Sequence, residues 1–206
     1  MNTSTAIAKV GEMLIMLLQN NFDSSLIPST IRFTLLSPDE INHADEKGIN
    51  LFLYQVEEAP FLKNREWIET NDNQLLPPPL SLNLFYLMTP YGKSNMTPTS
   101  IKGQFEVHTI LGEAMRIFSD NPIVPQEYWF KVGGLSDLQE PLKINQSQVE
   151  LEELARVWST FSNIPFRLSV PYEISVVQID SKQPERSPAK RVKKVGVYPR
   201  PVVPQK

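Results

Sequence analysis

Residues 48–92 read GINLFLYQVEEAPFLKNREWIETNDNQLLPPPLSLNLFYLMTPYG. Two long apolar runs stand out, Ile49–Val56 and Leu80–Met88, joined by a polar, aromatic-tipped connection that ends in Pro77, Pro78 and Pro79. Each run has the length of a strand. At period two, Ile49, Leu51 and Leu53 share one face of the first run, and Phe52, Tyr54 and Val56 share the other. In the second, Leu80, Leu82, Leu84, Tyr86 and Met88 lie together, opposed by Phe85 and Leu87 beside Ser81 and Asn83. Strands that are apolar on both faces belong in the middle of a sheet, covered on each side. These two are therefore the expected centre of the fold.

Working outward, residues 3–21 show helical spacing in Ile7, Val10, Leu14, Leu17 and Leu18, with Thr3 or Ser4 available as a cap. Residues 31–36 form a short strand candidate, and residues 39–47 a polar loop. The connection at 57–79 carries Phe61 and Trp67 among charges; a segment that long is usually functional or mobile, or its aromatics pack back on the sheet edge. Residues 89–104 read as a second loop, rich in Ser, Thr, Pro and Gly. Helical spacing returns at 105–118. Trp129, Phe130 and Val132 suggest a short strand, and Pro141–Asn145 another, with Leu142 and Ile144 on one face. Ser147-x-x-Glu150 matches a capping box ahead of an apolar stripe of Leu151, Leu154, Val157, Trp158 and Phe161. Residues 166–180 are the last long strand, in which Pro171 demands an edge or a bulge. This order predicts an α+β fold: a mainly antiparallel central sheet flanked by about three helices, with an extended C-terminal arm.

The chain has 206 residues, 41% of them hydrophobic, enough for one globular domain with an appendage. The expected division is a globular domain at 1–180 and a Pro-rich basic arm at 181–206. The net charge of −3 is uneven: the arm holds eight Lys/Arg and one acid, a charge of +7, which leaves −10 on the remainder. Such asymmetry speaks of partners rather than of fold. The arm also carries β-forming residues between its charges and prolines, which suits an extended segment that adds a strand to a neighbour.

Material for catalysis is thin. There is no cysteine, and only His43 and His108 represent histidine. The absence of cysteine excludes disulfides and thiolate chemistry. His43 lies near Asp45 and Glu46, a weak cation pattern. Neither a nucleophile elbow nor a phosphate-binding glycine loop is present. Glu57-Glu58 and Glu152-Glu153 are adjacent pairs whose side chains diverge, so neither makes a carboxylate dyad. The expectation is a non-enzyme with no cofactor, metal or small-molecule substrate. No stretch reaches the roughly 20 apolar residues of a membrane span, and no basic leader precedes an apolar run. Lys190-Arg191-x-Lys193-Lys194 would attract phosphate non-specifically, so a nucleic-acid-binding adaptor is the alternative reading. The acidic body would repel a duplex, and one arm tyrosine offers little for base stacking.

Four stretches in order carry a family likeness: I-N-L-F-L-Y-Q-V-E-E-x-P-x-L-K-N at Ile49–Asn64, P-P-L-S-L-N-L-F-Y-L-M-T-P-Y at Pro78–Tyr91, H-x-x-L-G-E-A-M-R at His108–Arg116, and E-E-L-A-R-V-W-S-T-F at Glu152–Phe161 followed by S-V-P-Y-E-I-S-V-V-Q-I-D at Ser169–Asp180. Together they resemble the cap, or tail-terminator, proteins of extracellular contractile injection systems, phage-tail-like particles typified by the Photorhabdus virulence cassettes and the antifeeding prophage. The resemblance implies a homohexameric ring on the distal end of inner tube and sheath, which stops elongation and joins the two. It also implies assembly in the bacterial cytoplasm, followed by residence in the finished particle. On that footing the arm residues Lys190, Arg191, Val192, Lys193, Lys194, Val195, Val197, Tyr198, Val202 and Val203 are expected to grip sheath by strand addition. Phe61, Lys63, Arg65, Trp67, Tyr91 and Lys93 are the candidates for tube or subunit contact.

Overall fold

The two apolar runs pair directly with each other. A computed structural model describes residues 5–27, 30–41, 47–63, 65–69, 74–92, 101–132, 141–161 and 164–183. Its elements are α1 (Ala6–Asn21), β1 (Ile31–Thr34), β2 (Lys47–Glu58), β3 (Ile68–Glu69), β4 (Leu75–Leu76), β5 (Leu80–Tyr91), α2 (Ile101–Asp120), α3 (Gln126–Val132), β6 (Lys143–Gln146), α4 (Leu151–Ser159) and β7 (Val170–Ile179). The main sheet has the order β1-β2-β5-β7-β6. Only β1 runs parallel to its neighbour; the other pairings are antiparallel. The α+β expectation with a mainly antiparallel sheet holds, with four helices among the described residues.

Both faces of the central pair are covered. On one, Ile49, Leu51, Leu84, Tyr86 and Met88 pack with α1 (Val10, Met13, Leu14, Leu17, Leu18), with α2 (Ile110, Ala114, Ile117, Phe118) and with Tyr128 and Trp129 of α3. On the other, Leu87 packs with Leu154 and Trp158 of α4, bordered by Phe52, Tyr54 and Phe161. Full burial of one such Leu or Phe side chain is worth about 1.5–3 kcal/mol, so the larger cluster dominates stability.

The face assignment needs one change. Leu53 pairs with Tyr86 but Gln55 pairs with Phe85, so Tyr54 is an extra residue in β2. A one-residue bulge turns all later side chains over. Val56 thus sits opposite Leu84, on the helix-covered side, instead of with Phe52 and Tyr54, and it is exposed there. Leu80 is likewise exposed at the end of its strand. A second bulge places Ser175 and Val176 of β7 opposite Asn83.

Pro171 is tolerated because its missing N–H is not needed. Its carbonyl accepts from the Ser147 N–H at 3.0 Å, on the side where β6 has already ended at Gln146. Among the described residues β6 covers β7 only at Tyr172–Ser175, so the second half of β7 is an edge on that side.

Several local expectations are corrected. Residues 129–132 belong to the helix α3: Pro125 precedes it, Glu127 lies in its first turn and Lys131 in its last, all favourable to a helix. Trp129 is buried while Phe130 is 67% exposed, which places them on different sides of that helix. Residues 89–91 continue β5, and α2 begins at Ile101, which shortens the expected second loop from both ends. The capping box at Ser147 does not form. Ser147 still runs beside Pro171, the helix starts at Leu151, and Glu150 occupies the cap position without a side-chain bond. Leu151, expected on the apolar stripe, is 69% exposed. At α1 the cap position is Thr5, also without a side-chain bond, while Thr3 and Ser4 lie outside the described residues.

Two residues fasten β1. A Cβ on Gly48 would lie 2.0 Å from the Arg32 carbonyl oxygen and 2.7 Å from the Tyr91 hydroxyl, so only glycine admits this approach. Two residues on, the buried Asn50 side chain replaces a stretch of ladder. Its Oδ1 accepts from the Leu36 N–H at 3.0 Å and from Thr34 Oγ1 at 2.8 Å, and its Nδ2 donates to the Leu36 carbonyl at 2.8 Å. Gly48→Ala is expected to destabilise the chain by about 1–3 kcal/mol or more through overpacking. Asn50→Leu should cost a similar ~1–3 kcal/mol by orphaning the Leu36 groups. Urea unfolding of both variants measures this.

Candidate assembly surfaces

The sequence-singled residues fall at opposite ends of the sheet. One end collects the close of β2, the start of β5 and the close of β7, with Glu58 beside Leu82 and Leu80 beside Ile179. The other collects Gly48, Tyr91 and, one strand over, Val170.

At the first end, the Ala59 N–H donates to the Ser81 carbonyl at 2.8 Å, and Ala59 is buried. A single 3-10 turn, Pro60–Leu62, follows, closed by the Leu62 N–H on the Ala59 carbonyl at 3.0 Å. Phe61 stands on this turn, 96% exposed. It does not pack back on the sheet. The turn is bracketed by an exposed ion pair, Lys63 Nζ to Glu58 at 3.2 Å, of the kind that contributes ~1 kcal/mol at most. Beyond it Arg65 is exposed and Trp67 half-buried, and β3 and β4 form a two-stranded ribbon pairing Ile68 with Leu76. The long connection is thus an anchored turn followed by a small ribbon.

Tyr91 differs from its companions. It is 2% exposed, its hydroxyl turned over Gly48, so it belongs to the core and not to an available contact surface. Lys93 lies outside the described residues, as do the arm residues Lys190, Arg191, Val192, Lys193, Lys194, Val195, Val197, Tyr198, Val202 and Val203 and the loop residue His43.

The α4 side of the sheet offers a different surface. A groove of about 590 Å³ runs beside α4, lined by Leu151, Ala155, Trp158, Phe161, Ile164 and Phe166. Trp158 meets Phe161 and Phe166 edge-on, at 6.1 and 6.2 Å between ring centroids. The surroundings are acidic. Burial raises the pKa of the Tyr54 hydroxyl, and the charges of Glu153 and Glu57 raise it further. Sequence reading treated the α4 stripe as core, and the exposure of Leu151 is what converts it into a groove.

The H-x-x-L-G-E-A-M-R stretch proves to be a joint between helices. Arg116 grips Glu113 through two bonds, Nε to Oε2 at 2.9 Å and a terminal nitrogen to Oε1 at 2.6 Å, and it also pairs with Asp120. Glu113 is buried and accepts from the Asp23 N–H at 3.3 Å, just beyond the end of α1. The Arg116 hydrogen bonds hold the Glu113 carboxyl below its ordinary pKa, against the effect of burial. His108 is exposed on the same helix. Among the described residues, no group of three or more His, Cys, Asp or Glu is placed to hold a metal ion. No helix there is long and apolar enough to cross a membrane.

Residues 9–191 match the family model described as the Pvc16 N-terminal domain. The chain belongs to that family. Two solved structures share the family member's fold. One is a cryo-EM structure of the sheath/tube terminator of PVC, an extracellular contractile injection system, in its extended state. It is 18% identical with a TM-score of 0.60, and the match covers 96% of this chain and 65% of that one. The other is the tube-terminating cap of the anti-feeding prophage, 17% identical with a TM-score of 0.58, covering 92% of this chain and 60% of that one. The chain therefore spans somewhat under two thirds of the length of each. No curated protein sequence matches it.

The Glu113 carboxyl has a lowered folded-state pKa, so its contribution is present above the unfolded carboxylate range and is lost as pH falls through the folded value. Glu113→Gln is therefore expected to melt below the parent chain at neutral pH, with the gap closing as the solution is acidified below about pH 4. Thermal melts across that range read the effect.

Proposed function

We propose that this chain is a structural cap, a tail terminator that forms a ring on the distal end of the inner tube and sheath of a contractile injection particle. The observation that carries the reading is membership of the Pvc16 N-terminal domain family over residues 9–191, supported by the shared fold of two terminators. In this reading the ring is a homohexamer that ends tube elongation and joins tube to sheath. Its work is binding rather than catalysis. It assembles in the bacterial cytoplasm and stays in the finished particle. The family and the two solved structures give no support to the nucleic-acid adaptor.

The contact roles follow from the surfaces. The exposed Phe61, on a turn tied to β5, acts as an apolar anchor for the tube or a neighbouring subunit, with Lys63, Arg65 and Trp67 around it. Filling a pocket with such a phenylalanine is worth about 1.5–3 kcal/mol. The basic arm at 181–206 serves the sheath, its backbone supplying strand hydrogen bonds and its +7 charge quickening the approach to an acidic surface.

Particles assembled without this chain should show a broad length distribution in negative stain, and the purified chain should form or seed six-fold rings. An unchanged length distribution would sink the terminator reading. Phe61→Asp is expected to leave unfolding within about 0.5 kcal/mol of the parent, as surface changes do, while weakening retention on isolated tubes about tenfold or more; co-sedimentation measures the loss. Deletion of residues 181–206 should leave a folded body that no longer holds sheath. Particles of normal length with attached sheath after that deletion would end the arm assignment.

A further inference from the structure

We propose that in the free chain the groove beside α4 is the resting place of the chain's own arm, with Lys190–Val197 lying along it. The inference concerns the unassembled chain and stands apart from the terminator reading. Three observations carry it. The first is an apolar trough left open on a helix whose partner residues are otherwise buried: Leu151, Phe166 and Leu168 are each about half exposed or more. The second is charge. Glu150, Glu152 and Glu153 are exposed at the start of α4, and Glu173 alternates onto that side of β7, against Arg156 and Arg167. The segment Lys190-Arg191-Val192-Lys193-Lys194-Val195-Gly196-Val197 brings four positive charges interleaved with three valines. Lysines and arginine match the acidic rim while the valines match the trough.

The third is reach. The chain leaves the sheet at Ile179, paired with Leu80, whereas α4 packs over Leu87, paired with Pro171. Those positions are eight residues apart along β7, about 26 Å at strand rise. Lys190 stands eleven residues beyond Ile179 and Lys194 fifteen, so the connecting chain spans up to about 36–50 Å. The arm can therefore turn back and lay its basic cluster over α4 without a second copy. Held in the same molecule, even a weak match is occupied, because the local concentration is in the millimolar range. A partner that pairs with the arm then has to displace it from the groove.

Carbodiimide coupling of the full chain at low ionic strength tests this, because the reagent joins lysine to carboxylate only where they touch. The expected products join Lys190, Lys193 or Lys194 to Glu150, Glu152 or Glu153. In an equal mixture of normal and nitrogen-15 chain, each product should be of one isotope. Products of mixed isotope would give the groove to a second copy and overturn the proposal, as would coupling of these lysines only to other acids or no coupling. Ala155→Arg fills the groove with bulk and like charge at an exposed helical position, so the fold is retained, as far-UV circular dichroism checks. It should cut the yield about tenfold. An unchanged yield in that variant overturns the proposal.

Discussion

The structure depends on one pairing, β2 against β5. Both strands are twelve residues long and apolar on both faces. Such a pair cannot stand in water on either side, and this need places every other element. Three helices cover one face and a short helix part of the other. β7 extends the sheet beyond β5, and β1 closes it beyond β2. The cover is unequal. The helix-rich side forms a large closed core, whereas α4 spans only nine residues and leaves aromatic groups at its margin.

Within this frame the bulges separate two tasks. Up to Leu53, β2 keeps strict alternation and is buried at Ile49 and Leu51. After Tyr54 the parity reverses, and the strand's last residues, Gln55 to Glu58, are exposed. The strand thus changes from core material to a stalk within one chain segment. At the end of that stalk, the Ala59–Ser81 bond and the 3-10 turn fix the direction in which Phe61 projects. The sheath/tube terminator and the tube-terminating cap are similar to this chain in fold while sharing only 18% and 17% of its residues. That is what a scaffold set by apolar patterning allows, since many side chains satisfy the same burial.

The central strands and α1 were legible because their periodicities are long and their faces unambiguous. The bulge at Tyr54 was not, since a single inserted residue leaves composition unchanged and shows itself only in the partner's register. Trp129, Phe130 and Val132 misled because two buried neighbours in a seven-residue helix mimic a strand fragment; Pro125, Glu127 and Lys131 carried the opposite signal. Ser147 matched a motif whose geometry β7 pre-empts. Of the candidate contacts, Phe61 was visible as an aromatic in a polar stretch, but its exposure was not, because packing back was physically equivalent on sequence alone. Tyr91 looked similar in sequence and lies buried, since the glycine opposite it leaves room for its ring.

The anchored turn has an implication for avidity. A phenylalanine projected from a floppy loop loses ordering entropy each time it binds, whereas one held by two backbone hydrogen bonds has lost it already on folding. In any cyclic assembly of this chain, that saving recurs once per subunit. Contacts too weak to retain a single copy then add across the ring, and the assembly binds all at once or not at all. A stop signal built this way ignores isolated copies and responds only to a completed circle.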